Sequence, residues 1–327
     1  MRKYTSFTFL ALIILLSCQS NKELKNPPYV PIDIETVSDS LVLFGKNVIS
    51  TALYERDLAI SPDGDEIIYT LGDYKQSRRC LVSHRKEQGQ WTEAEILNIS
   101  GRYQDIEPFF SKDGNRLYFA SNRPIAGDSS RSDYNIWYSD RADGNWMPPV
   151  ALDSLINTRG QEFFPSVSDN GNLYFTATRA DGIGREDIFK STMVDGQFQS
   201  PVPLSTTINT KAFEFNAYVS PGENLIVFSS YGRADDMGGG DLYYSQKDST
   251  GNWAPAKNLG ELINSDKLDY CPFIDWRTGN FYFTSERMPK HENTLKSVAE
   301  LSQLANTATN GHGNLYKTAL DRVIEVK

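Results

Sequence analysis

The sequence has little of what builds metal centres, disulfide frameworks or nucleic-acid-binding surfaces. Its 327 residues include 3 cysteines and 3 histidines, and no Cys-x-x-Cys or His-x-x-x-His spacing occurs. We therefore expect no metal site, no cofactor and no disulfide framework. Cys80 and Cys271 are predicted to be buried free thiols, with a disulfide between them as the alternative. Acidic residues (42) outnumber basic ones (33), and the net charge of -9 argues against nucleic acid as a partner.

Long hydrophobic runs are also missing, apart from one short run near the N-terminus. Residues 7–16 are apolar except for Thr8 and follow Arg2 and Lys3, a pattern typical of a secretory signal and too short to span a bilayer. The run ends in Leu-Leu-Ser before Cys18, which resembles the lipobox of bacterial lipoproteins. The resemblance implies a lipoprotein signal peptide over 1–17 and lipidation of Cys18. The alternatives are a cleaved signal with an incidental cysteine, or an ordinary membrane anchor.

The segment after the cysteine predicts how the chain leaves the membrane. Residues 18–40 are polar and contain three prolines near their middle, which predicts an extended tether. Acyl chains on Cys18 would hold the protein on a membrane without basic residues. We therefore expect a lipid-anchored protein of the bacterial cell envelope, at the outer membrane or facing the periplasm.

The rest of the chain repeats. An Asp-Gly type of turn lies between two apolar runs five times, as in Ser61-Pro62-Asp63-Gly64 before Ile67-Ile68-Tyr69, and each copy predicts a β-hairpin. The hairpins span residues 61–69, 111–119, 168–175, 220–228 and 275–283, and their last aromatic residues lie 50, 56, 53 and 55 residues apart. A repeat of this length indicates an array of similar structural units.

Each unit also contains a third and a fourth β-rich segment. The third has the form Asp187-Ile188-Phe189-Lys190-Ser191, and the fourth follows a polar turn such as Gly144-Asn145-Trp146. Four strands in about fifty residues are typical of a β-propeller blade. The predicted fold is therefore all-β, a β-propeller of four-stranded blades over residues 41–327.

These motifs resemble a known repeat. An acid followed by proline three residues later, Ser-x-Asp-Gly, Leu-Tyr-Phe-x-Ser-x-Arg and Asp-Ile-Tyr mark the WD-like repeat of the TolB-type propellers of bacterial envelopes. The similarity covers residues 41–327 and is weakest in the first copy. It implies a propeller that mainly holds proteins or other ligands.

The ends of the chain predict the number of blades. The fifth copy ends part-way through its fourth strand, and residues 41–44 enter the pattern at the same point. We expect residues 41–44 to continue or flank an outer strand begun by residues 323–326, which closes a ring without a free sheet edge. Five blades result. Six would require an unrecognised blade, for which the chain has no room.

An acidic residue precedes each hairpin turn by six residues. We call these residues the acid ring: Glu55, Asp105, Glu162, Glu214 and Asp269. Four copies have an arginine just after the second strand: Arg123, Arg179, Arg233 and Arg287. Antiparallel pairing places acid and arginine on the same rim, so we predict structural carboxylate–guanidinium pairs.

The first two copies depart from this symmetry. Asp57 and Glu107 add a second acid two residues after the first, and Asp73 stands where the first copy lacks the arginine. We take these three residues as the candidate binding rim. Carboxylates crowded there could serve glycoside hydrolysis, because five-bladed glycosidases use acids on their inner strands. The alternative is that Arg56 and Arg102, or Arg78 and Arg79, neutralise them.

The loops between the second and third strands differ most. From the last aromatic of strand two to the first apolar residue of strand three, the copies count 11, 17, 13, 14 and 32 residues. The long fifth loop contains an insert, residues 292–305, whose apolar positions predict a short amphipathic helix that is either a lid or a docking helix. We therefore expect a non-enzymatic scaffold that binds an envelope protein or polymer, with a carbohydrate-active hydrolase as the alternative.

Overall fold

The five sequence repeats fold into the five blades of a β-propeller, as the sequence predicted, and each blade is built on one antiparallel sheet of four to six strands. In blade 3, Met193–Val194 and Gln197–Phe198 form a separate two-stranded sheet. The structure is a computed structural model, and it describes residues 29–128, 130–290 and 294–325. The predicted signal peptide and Cys18 lie outside these residues. In the described part of the chain, no helix is long and apolar enough to cross a membrane.

The strands of each blade run in chain order from the propeller axis outwards. Blade 1 contains Tyr54–Ile60, Glu66–Gly72, Arg79–Glu87, Gln90–Thr92 and Glu95–Ile96. Blade 2 contains Asp105–Phe110, Arg116–Ser121, Asn135–Ala142, Asn145–Trp146 and Val150–Ala151. Blade 3 contains Glu162–Val167, Leu173–Ala177, Asp187–Ser191, Met193–Val194, Gln197–Phe198 and Val202–Pro203. Blade 4 contains Phe213–Val219, Leu225–Tyr231, Asp241–Gln246 and Lys257–Asn258. Blade 5 contains Asp269–Asp275, Asn280–Ser285 and Asn314–Ala319.

The ring is closed by the N-terminal side of the propeller. Val42–Leu43 pairs with Asn314–Ala319 and is the outer strand of blade 5. The expected strand over residues 323–326 is wrong for its described part, because the position beside Asn314–Ala319 is already occupied. The chain instead forms the short 3-10 helix Leu320–Arg322, and Ile324 is buried between blades 4 and 5.

The described part of the predicted tether lies on the propeller. Tyr29–Val30 pairs with Gln90–Thr92 at the outside of blade 1, and Ile34 is 1% exposed in the core between blades 1 and 5. Residues 29–40 thus belong to the folded unit, and the described part of the chain begins at the outer edge of blade 1.

The hydrophobic core lies between neighbouring blades. Large buried side chains such as Phe119, Phe175 and Phe228 come from second strands, and each packs against a neighbouring sheet. An Ile-Asn sequence before blades 3, 4 and 5 links each blade to the one before it. The amide of its asparagine bonds back to the third strand of the previous blade, as Asn157 does with both the N–H and the carbonyl of Ile136.

Candidate functional site

All five members of the acid ring are buried near the start of an innermost strand, on the face that carries the loops between second and third strands. We call this the ring face. Each carboxylate is 0% exposed and accepts a hydrogen bond from a hydroxyl that precedes it in the chain. The donors are Thr51, Ser100, Thr158, Thr210 and Ser265. The hydroxyls fix the carboxylates locally, whatever else they contact.

In blades 2, 4 and 5 an arginine forms an ion pair with the member of the acid ring. Arg123 contacts Asp105, Arg233 lies 2.9 Å from Glu214, and Arg287 lies 2.8 Å from Asp269. Each of these arginines also donates to the carbonyl oxygen of an isoleucine in the connection before its own blade. The three pairs therefore tie strands to the connections between blades.

Blades 1 and 3 lack this pair. Arg179 contacts Asp181 at 3.3 Å, and Glu162 is left with Thr158 as its hydroxyl partner. In blade 1, Asp73 accepts hydrogen bonds from backbone N–H groups of its own loop. Burial raises the pKa of Glu55 to about 7 and also raises the pKa of Glu162, against the effect of the threonine donors.

The innermost strands share a β-bulge just after the acid ring. In each blade the bulge residue has a positive φ, between 46° and 61°: Asp57, Glu107, Phe164, Asn216 and Cys271. A bulge turns one N–H out of the sheet, and that donor needs a partner. Threonine hydroxyls on second strands of neighbouring blades accept three of these N–H groups. The hydroxyl of Thr284 accepts from the N–H of Asp57, that of Thr70 from Glu107, and that of Thr176 from Asn216.

Glu107 replaces the missing threonine of blade 2. The equivalent position there is Ala120, which has no hydroxyl, and the Glu107 carboxylate accepts the Phe164 N–H at 2.7 Å instead. The other carboxylate oxygen accepts from Arg56 at 3.0 Å and from Asn216 at 3.2 Å. Glu107 therefore has a structural role that the sequence did not reveal.

Arg56 lies at the centre of a group of side chains from the innermost strands, which we call the axial cluster: Arg56, Asp57, Glu107, Tyr270 and Cys271. Its guanidinium lies 2.8 Å from both oxygens of Asp57 and 3.0 Å from Glu107, and it stacks 4.9 Å from the centre of the Tyr270 ring. Cys271 is a free, buried thiol 3.7 Å from the same guanidinium. The structure thus brings the predicted acids Asp57 and Glu107 together, and one arginine contacts both.

Next to this cluster, a cavity of about 290 Å³ lies between the innermost strands at the ring face. We call it the axial cavity, and the space between the innermost strands the axial channel. Tyr134, Phe163, Phe215 and Tyr270 line the sides of the axial cavity, and Glu107 and Glu186 contribute carboxylates. Burial raises the pKa of Glu107 to about 7; the charge of Asp57 adds to this effect and that of Arg56 opposes it. Burial also raises the pKa of Glu186. An aromatic cavity with carboxylates can hold a polar organic ligand.

The acids expected to provide catalysis are all engaged. Glu55 accepts a backbone N–H, Asp105 contacts Arg123, and Asp57 and Glu107 share Arg56. Asp73 accepts its hydrogen bonds within its own loop, so contacts with Arg56 join two of the three residues of the predicted binding rim, Asp57 and Glu107. No group of His, Cys, Asp and Glu within the described ranges could hold a metal ion.

The insert of blade 5 forms the helix Val298–Ala305, with Ser297 as its N-cap. None of its residues is buried, and Val298 is 84% exposed. A cavity of about 380 Å³ separates the helix from the chain around Met288. The helix therefore does not pack into the propeller core.

Several residues of the axial cavity were absent from the predicted site. Phe163 and Tyr270 directly follow members of the acid ring in the chain, as does Arg56, which was expected only as a partner that would neutralise the acids. This position varies between copies while the acid before it is kept. Variation beside a constant position was the signal that could have indicated a ligand-facing surface.

Comparison with known proteins identifies a fold but no family. No family model matches the sequence, and no curated protein does. The endo-arabinase from Bacteroides thetaiotaomicron VPI-5482 is 14% identical with a TM-score of 0.50, over 90% of this chain and 99% of that one. At this identity the similarity shows the fold alone.

Two TolB structures are also similar. A putative TolB from Agrobacterium tumefaciens is 12% identical with a TM-score of 0.47, over 83% of this chain and 91% of that one. TolB from Acinetobacter baumannii is 13% identical with a TM-score of 0.44, over 80% of this chain. The match spans 53% of that TolB chain, about half of its length.

Proposed function

We propose that the protein is a non-enzymatic, lipid-anchored β-propeller of the bacterial cell envelope that binds a protein or polymer on its ring face. The observation that carries this proposal is the engagement of Asp57 and Glu107. Glycoside hydrolysis needs one carboxyl group that gives a proton and another that attacks or activates water. Here both groups are fixed by Arg56, and Glu107 also holds the backbone of blade 3.

The exposed insert supports a binding role. Val298 and Leu301 are 84% and 54% exposed on a helix that contributes nothing to the core. Exposed aliphatic side chains on such a helix are typical of a surface that another molecule covers. The TolB-type character of the repeat motifs agrees with a role in holding proteins.

The binding role can be tested by capture from detergent-solubilised envelopes with the full chain as bait. We expect a partner to bind the wild type and to be lost from a Val298→Glu/Leu301→Glu variant. Val202→Glu is the matched control, since Val202 is a 59% exposed valine on the outer strand of blade 3. Equal capture by all three proteins would overturn the assignment of the insert as the docking element.

The anchor requires its own test, because Cys18 lies outside the described residues. Cells that express the full chain are grown with radiolabelled palmitate. We expect the label on the wild type and none on Cys18→Ala. Label on both proteins, or on neither, would overturn lipidation at Cys18.

A carbohydrate hydrolase is the second candidate, and the axial cavity is the observation that favours it. Its walls are aromatic, and the raised pKa of Glu107, about 7, is the value that a general acid needs. Incubation with arabinan, xylan and pectin should release no reducing ends under the scaffold proposal. Release that Glu107→Gln abolishes, while thermal stability is retained, would establish the hydrolase instead.

A further inference from the structure

A second cleft lies on the ring face between blades 1 and 2. Its volume is about 580 Å³, and it is lined by Arg78 and Arg79 of blade 1 and by Arg102, Tyr103 and Gln104 of the connection to blade 2. We call it the arginine cleft. The loop of blade 1 beside it is the shortest of the five, and Asn122, after the second strand of blade 2, also lines it.

The charge of the cleft is opposite to that of the protein. The chain carries a net charge of -9, yet three arginines and no acidic residue line the cleft. Among the described residues, no carboxylate forms an ion pair with Arg78, Arg79 or Arg102. Arg79 bonds to neutral groups, the Gln104 side chain at 3.0 Å and the Tyr134 hydroxyl. Arg79 also lines the axial cavity beside Glu107, so the exposed Arg78 and Arg102 are the guanidiniums available to an anion.

Two of the guanidiniums lie near aromatic rings. Arg102 lies 5.3 Å from the centre of the Tyr103 ring, and Arg79 lies 5.4 Å from that of Tyr134. Gln104 links the connection to blade 2 with blade 1, because its side chain accepts a hydrogen bond from Arg79 and donates one to the carbonyl oxygen of Ser77. The planar guanidinium of an arginine can bind a carboxylate in a bidentate manner.

The wall of the cleft also offers an aliphatic contact. Ile96, in the outer strand of blade 1, is 59% exposed and lines the same space. A peptide presents carboxylates and aliphatic side chains along one chain, whereas an acidic polysaccharide has no aliphatic side chain for Ile96. The combination favours a peptide.

We propose that the arginine cleft binds an acidic segment of a partner protein, with carboxylates on the arginines and an aliphatic side chain against Ile96. The proposal rests on the scaffold function and adds the chemistry of the partner. The cleft lies over blades 1 and 2, apart from the insert of blade 5, so the two surfaces can be tested separately.

The test uses fluorescence anisotropy of a labelled peptide, Glu-Glu-Leu-Glu-Glu-Glu, with the full chain in detergent. We expect saturable binding that weakens at least about tenfold in Arg78→Gln/Arg102→Gln, and also between about 50 and 500 mM salt because exposed charges are screened. Ile96→Ser should weaken binding about threefold. Arg322→Gln, an exposed arginine after the third strand of blade 5, is the matched control and should bind as the wild type does.

Arg78 and Arg102 are exposed, so their replacement should leave the thermal unfolding temperature unchanged. No saturable binding of the peptide, or equal binding by the double variant, would overturn the proposal for the cleft. Binding of polygalacturonate but not of the peptide, dependent on the same arginines, would overturn the peptide in favour of an acidic polysaccharide. Each result leaves the envelope capture with Val298→Glu/Leu301→Glu to decide the scaffold function on its own.

Discussion

The acid ring of blades 2, 4 and 5 differs from that of blades 1 and 3 in one respect. All five carboxylates are equally buried and all accept a hydroxyl hydrogen bond. In blades 2, 4 and 5 an arginine forms an ion pair with the carboxylate, whereas within the described residues no arginine forms one with Glu55 or Glu162. Burial therefore raises the pKa of Glu55 and Glu162.

The difference shows which part of the motif the fold requires. Every blade keeps the buried acid and its hydroxyl donor, and two blades form without the ion pair. The acid capped by the hydroxyl is thus the common device at the start of an innermost strand. The arginine adds an ion pair and ties the second strand to the connection between blades.

The largest expected effect is on the paired acids. Asp105→Asn leaves Arg123, only 9% exposed, without its carboxylate. We expect the free energy of unfolding to fall by about 3–5 kcal/mol, because an unpaired buried charge is strongly destabilising. Glu162→Gln is the matched control, and since Glu162 forms no ion pair with an arginine of the described chain, we expect a loss of about 1 kcal/mol. Chemical denaturation measures both; similar losses would contradict the distinction between the two kinds of blade.

The comparison extends to the channel, where the carboxylate of Glu107 accepts a bulge N–H that a threonine hydroxyl accepts in other blades. Glu107→Ala removes the acceptor of the Phe164 N–H and a partner of Arg56, and we expect a loss of about 3 kcal/mol. Adding Ala120→Thr supplies the hydroxyl present in blades 1, 3 and 5. It should restore about 1 kcal/mol in the Glu107→Ala background and give no gain in the wild type. A gain of equal size in both backgrounds would show that Ala120→Thr acts in another way.

The unpaired acid of blade 1 should make stability depend on pH. Since the pKa of Glu55 is raised from 4.5 to about 7 in the folded state, the folded protein keeps a proton that the unfolded chain has lost. The free energy of unfolding therefore falls as pH rises from about 4.5 to about 7. In Glu55→Gln this fall should be smaller by about 2 kcal/mol, as measured by denaturation at pH 5 and pH 8. An unchanged pH dependence would contradict the raised pKa.

Much of the fold was predictable because short sequence motifs recur in every repeat. The hairpin turns, the constant acid and the spacing of the aromatic residues determine blades and strand order. Counting from the turn also placed Arg123 and Asp105 on the same rim, since an antiparallel hairpin conserves that distance. The outer strand of blade 5 was harder to predict. Residues 41–44 and 323–326 both matched the pattern of that strand, and only one segment could occupy its position.

The site was less predictable because it depends on geometry that interrupts the repeat. The bulge at Glu107 is not marked by glycine, so the two-residue alternation of a strand could not place Arg56 at the centre of the channel. Arg179 matched the arginine motif but has Asp181 two residues away as a nearer partner. The role of Glu107 depends on the alanine at position 120, which becomes informative only when neighbouring blades are aligned in space.

The most direct test of the structural role of the acid ring is a pair of double-mutant cycles. One cycle combines Asp105→Asn with Arg123→Gln in blade 2, and the other combines Glu162→Gln with Arg179→Gln in blade 3. We expect a coupling energy of about 2 kcal/mol or more in blade 2 and a coupling within about 0.5 kcal/mol of zero in blade 3. Equal coupling in the two blades, or none in blade 2, would contradict the account of an ion pair added to a common carboxylate–hydroxyl device.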